Sequence, residues 1–114
     1  MSYVVTPFEV VSRGLPGPVK CRFVHLLSGI ATRHSDTIDC IFLVDGRNVT
    51  IAISCAALGQ LRENNQEGLS DQQLAEIAAL ALRHALERGN DPTEGELFLG
   101  EKELIVLARE LGYA

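Results

Sequence analysis

No apolar run in the 114-residue chain approaches the roughly 18 residues that a membrane span needs, so no membrane partner is expected. The opening stretch, MSYVVTPFEVV, lacks the basic start and long apolar centre of a secretory signal, and the expected location is cytoplasmic. Cysteine is scarce and odd in number: Cys21, Cys40 and Cys55 stand far apart. There is no C-x-x-C and no H-x-x-x-H, which argues against zinc or any other metal site. The three thiols read as free and mostly buried, in a reducing compartment. No G-x-S-x-G, P-loop or G-x-G-x-x-G occurs, so no nucleophile, phosphate cradle or cofactor is implied. Repeats, low-complexity runs and linkers are missing too, and residues 1–114 read as a single domain, long enough for a core without staples.

Basic residues are few where they would matter for nucleic acid. Residues 38–114 carry a net charge of −7, and residues 1–37 carry +2. Neutralising phosphates takes clustered Lys and Arg, so an acidic second half argues against a nucleic-acid partner. The N-terminal part retains enough cations for a small basic patch.

What is present centres on Ile38 to Ser54, read IDCIFLVDGRNVTIAIS. Two β-branched apolar runs flank Asp45-Gly46, the short-range signature of a hairpin with a two-residue type I′ turn. That turn sets Val44 opposite Arg47, Phe42 opposite Val49, Cys40 opposite Ile51 and Ile38 opposite Ile53. Period-two alternation then gathers Ile38, Cys40, Phe42, Val44, Val49, Ile51 and Ile53 on one apolar face. The other face carries Asp39, Ile41, Leu43, Asn48, Thr50, Ala52 and Ser54. Ile41 and Leu43 are apolar there and need a cover.

Ahead of the hairpin, Pro7 limits the first strand to an edge position from about Phe8 to Ser12. Arg13 to Pro18 is a turn cluster. Val19 to Leu27 reads as a strand with Val19, Cys21, Phe23, His25 and Leu27 on one face, and Ser28 to Thr37 as a loop. Behind the hairpin, Ser54 is a candidate cap for a helix from Cys55 to about Asn64. Ser70 and Gln73 form a capping box, with Leu69 and Leu74 as the staple, opening a helix that runs to Arg88 and stops at Gly89. Its apolar stripe is Leu74, Ile77, Ala78, Ala81, Leu82 and Ala85. Glu96 to Leu99 reads as a short strand and Glu101 to Leu111 as a last helix. The fold class is α+β. It is an antiparallel β-meander of three to four strands, with its central hairpin at Asp45-Gly46, covered by two to three C-terminal helices.

The stretch Cys40 to Leu58, with its strand, its turn at Gly46 and the step I-A-I-S-C-A-A-L into a helix, resembles a small bacterial family known only as a domain of unknown function. The likeness extends through Ala85 and Leu97 to Leu104 and covers roughly residues 38–105; the residues before 38 have no counterpart in it. It implies a bacterial origin and carries no site residues with it.

Two function classes follow. The first is a small non-enzymatic interaction or regulatory module, a homodimer or the binder of an unidentified protein. On a helical wheel Leu80 and His84 lie together away from the core stripe, and with Ile41 and Leu43 they are the candidate interface. The second is a small enzyme or anion-binding domain using Arg22, His25, Arg33 and His34, residue types suited to proton transfer or anion binding. These four must converge on one concave pocket for the second class to hold. A thiol–imidazole pair of His25 with Cys21 or Cys40 would need the strands to bring them together.

Overall fold

A computed structural model describes residues 5, 7–11, 17–29, 37–65, 69–89 and 96–113, the side chains of 27–29 and 61–65 excepted. The strands β1 (Phe8–Val11), β2 (Pro18–Gly29), β3 (Thr37–Val44) and β4 (Arg47–Ser54) form an antiparallel meander. The chain continues through α1 (Cys55–Asn65) and α2 (Asp71–Glu87), returns as β5 (Glu96–Leu99) and ends in α3 (Glu101–Glu110). The sheet order is β1-β2-β3-β4-β5. β5 runs parallel to β4, because the chain crosses over through two helices before it re-enters the sheet.

The hairpin register is the one that the Asp-Gly turn predicts, from Val44 opposite Arg47 to Ile38 opposite Ile53. Asp45 has φ 49° and Gly46 φ 83°, the pair of positive values that a type I′ turn requires. The turn is also tied to β2: Asp45 donates its backbone N–H to the Lys20 carbonyl at 2.9 Å, and Lys20 N–H donates to Asp45 Oδ1 at 3.0 Å.

The face carrying Cys40, Phe42, Val44, Val49, Ile51 and Ile53 is buried beneath the helices. Phe42 is its centre, with Phe23 edge-on at 5.4 Å and Phe8 edge-on at 6.5 Å between ring centroids. Burying an aromatic or branched aliphatic side chain of this kind contributes about 1.5–3 kcal/mol. α2 lies on this face through Leu74, Ile77, Ala78, Ala81, Leu82 and Leu86. Its alanines let the helix come close to the strands. The capping box is formed, with Gln73 N–H donating to Ser70 Oγ at 3.1 Å and Ser70 N–H to Gln73 Oε1 at 2.9 Å. Leu69, the staple residue, packs on the core. Gly89, at φ 83°, ends the helix in the left-handed conformation. Ser54 caps α1 by accepting from Ala57 N–H at 3.2 Å. Leu104, Leu107 and Ala108 of α3 complete the helical layer.

β2 departs from the expected alternation. Cys21 and Phe23 face Val44 and Phe42, but the register then slips, and His25 pairs with Ile41 and Leu26 with Cys40. Val24 is the extra residue of a β-bulge. Leu26 therefore joins the core side, and His25 is exposed on the opposite face instead of packing beside Phe23. Of the loop expected at Ser28 to Thr37, Ser28 and Gly29 belong to β2 and Thr37 to β3; the rest lies outside the described residues.

Candidate interaction surface

The second face of the sheet is built in rows, because paired residues on neighbouring strands project to the same side. One row runs His25, Ile41, Thr50, Glu96 across β2, β3, β4 and β5. The row toward the turn is Arg22, Leu43, Asn48, and the row away from it includes Asp39, Ala52 and Phe98. Ile41 and Leu43 are half-buried and take no part in the core cluster. Phe98 is 50% exposed and Val24, on the bulge, 41%. Toward the far end the face closes, with Thr37, Ala52 and Ser54 buried. Toward the turn it is open, with Arg22, Asn48 and His25 exposed. The core cluster takes members from all three helices and from the Phe42 face of the sheet, and neither Ile41 nor Leu43 is among them.

The candidate interface residues divide between the two sides of the sheet. Ile41 and Leu43 belong to the open face. Leu80 packs against the core and borders a groove with Phe8 and Leu111. His84 bridges two helices: its Nε2 lies 3.0 Å from Glu110 Oε2 and its Nδ1 3.5 Å from Glu87 Oε1. Leu80 and His84 thus fasten α2 to its neighbours rather than sharing a surface with Ile41 and Leu43. Tyr113 adds a further tie by donating to Glu76 Oε1 at 2.6 Å, and this bond raises its pKa above the ordinary phenol value.

Arg22 and His25 stand on the same open face, on adjacent rows. Arg33 and His34 lie outside the described residues. Arg22 borders an open cleft of about 770 Å³ at the hairpin turn, together with Lys20, Glu9, Phe8 and Asp45; His25 is not part of it.

Among the described residues, the sheet separates His25 from the thiols of Cys21 and Cys40. Burial pushes the Cys21 thiol up to about 11 and the Cys40 thiol up to about 12. Both are fully protonated at neutral pH, and both open onto the core side while His25 faces the other way. No group of three His, Cys, Asp or Glu side chains that could hold a metal ion occurs among the described residues. No helix there is long and apolar enough to cross a membrane.

One exposed apolar residue, Phe98, was not singled out from sequence. Phe98 follows from alternation once β5 is known to lie beside β4, since Leu97 and Leu99 face Ile51 and Ile53. Alternation from Lys20 and Arg22 puts Val24 and Leu26 on this face; Val24 is where that reading places it, while the bulge, which no Gly or Pro marks, carries Leu26 to the core side. With the geometry in place, comparison with known families, characterised proteins and solved structures yields no match.

Proposed function

We propose that the protein is a small non-enzymatic interaction module whose working surface is the open face of the sheet. The observation that carries this reading is the adjacent pair Ile41 and Leu43, half-buried and outside the core cluster, on the sheet face opposite to that of Phe42 and Val49. An exposed Leu by itself is ordinary, but contiguous apolar side chains rimmed by polar ones mark association sites. Arg22, His25, Asn48 and Glu96 supply such a rim. Membership of the bacterial family of unknown function, and a cytoplasmic setting, belong to the same proposal.

The test is Ile41→Asp. The variant is expected to stay folded, with the modest loss of stability that a half-buried isoleucine carries, and to lose association, read by light scattering after size exclusion. Unfolding of the variant would mean that Ile41 is core, and the reading would fall.

A second reading, the binding of a small anion, is favoured by one observation: Lys20 and Arg22 both border the cleft at the turn. Glu9 and Asp45 border it as well, which weakens the field an anion would meet.

A further inference from the structure

We propose that the cleft at the hairpin turn binds a small zwitterion: one carboxylate, one ammonium and an apolar body, as in a free apolar amino acid. The proposal goes beyond the association reading and does not rest on it, since Ile41 is not among the residues that line the cleft.

The cleft encloses about 770 Å³, inside the range of about 300–1,000 Å³ in which small-molecule sites fall. The strand register places its charges. Glu9 pairs with Lys20 across β1 and β2, and Lys20 is tied to Asp45, so one row reads acid, base, acid. Arg22 stands one row further along β2, opposite the apolar Leu43. Asp45 Oδ1 accepts the Lys20 backbone N–H at 3.0 Å, which pins that part of the rim. Among the described residues, no ion pair or side-chain hydrogen bond engages the Glu9 carboxylate, the Lys20 ammonium or the Arg22 guanidinium.

Two acids and two cations leave the lining neutral. A simple anion there meets two carboxylates, and a simple cation meets two cations. A ligand with both signs finds a partner for each. The Arg22 fork suits a carboxylate, which it can hold by two parallel hydrogen bonds. Glu9 is diagonal to it on the neighbouring strand, about 7–8 Å away, and takes the ammonium. Leu43 and Pro7 supply the surface for the apolar body. The cleft is open to water on one side, so the affinity is low, with Kd about 1–10 mM.

The test compares three probes. L-leucine carries both charges, N-acetyl-L-leucine keeps only the carboxylate, and L-leucinamide keeps only the ammonium. Each is titrated at about pH 6.5, where the ammonium groups are protonated, and followed by backbone amide NMR shifts. Leucine is expected to move the signals of Lys20, Arg22, Leu43 and Gly46 saturably, with the Kd above. Each analogue is expected to bind at least about threefold more weakly. Arg22→Gln is expected to remove the advantage of leucine over leucinamide and keep that over N-acetylleucine. Glu9→Gln is expected to do the converse. Both side chains are exposed, so both variants are expected to keep the wild-type fold, which their amide spectra report directly. N-acetylleucine or leucinamide binding as tightly as leucine overturns the zwitterion. Cleft signals that do not move below about 50 mM leucine overturn the site. The Ile41→Asp association measurement is decided separately from each of these outcomes.

Discussion

His25 stands opposite Ile41, and the next residue, Leu26, stands opposite Cys40 on the other face of the sheet. The bulge at Val24 produces this arrangement. Without it His25 would point into the core beside Phe23, and Leu26 would be left outside. With it, the polar ring joins Arg22 on the open face and the leucine joins the core. One extra residue thus corrects the polarity of the second half of β2 and separates His25 from both buried thiols.

The turn tests how the hairpin is held. Gly46→Val places a β-branched residue at φ 83°, where nothing lies within 4 Å of a new Cβ. The cost is therefore one of backbone conformation alone, about 1–3 kcal/mol. Thermal unfolding should show a melting temperature lower by several degrees. An unchanged value would mean that the turn relaxes to another geometry.

The buried thiols predict an alkaline weakening. Folded Cys21 and Cys40 have pKa values raised to about 11 and about 12, above the ordinary thiol value of 9.0. Below pH 9 both states of the chain keep these protons. Above it the unfolded chain releases them and the folded one does not, so stability falls as pH rises toward the folded values. The slope approaches about 1.4 kcal/mol per pH unit for each thiol. Cys40→Ala removes one of the two, and denaturant titrations between pH 8 and about pH 10.5 should show a shallower decline than in wild type. Parallel curves would show that Cys40 ionises as readily folded as unfolded.

Much of this fold is legible in the sequence wherever the signal is local. Asp45-Gly46 specifies both the turn and the register, and Ser70 with Gln73 marks the start of α2 to the residue. What is not legible depends on partners distant in the chain. The four residues of β5 do not state their direction; the helical crossover does. The bulge carries no Gly or Pro, and it shows only in the pairing with β3. The candidate interface set was assembled from two separate arguments, the helical wheel and the strand alternation, and neither says on which side of the sheet α2 lies. The structure splits that set accordingly.

Leu80 tests that split. On α2 it lies off the main buried stripe, yet it packs against the core and shares a groove with Phe8 and Leu111. Its work is done within the chain, and it lies on the opposite side of the sheet from Ile41. Leu80→Glu exposes the groove and sets a second carboxylate one turn from Glu76, the acceptor for Tyr113. The loss is about 1–2 kcal/mol of stability, appropriate to a partly buried leucine. Denaturant unfolding should show that loss, and sedimentation should show the same association state as wild type. Ile41→Asp, on the other face, is expected to stay folded and to change association instead. If Leu80→Glu changes association while leaving the unfolding midpoint where it was, the helix side and not the sheet face is the interface.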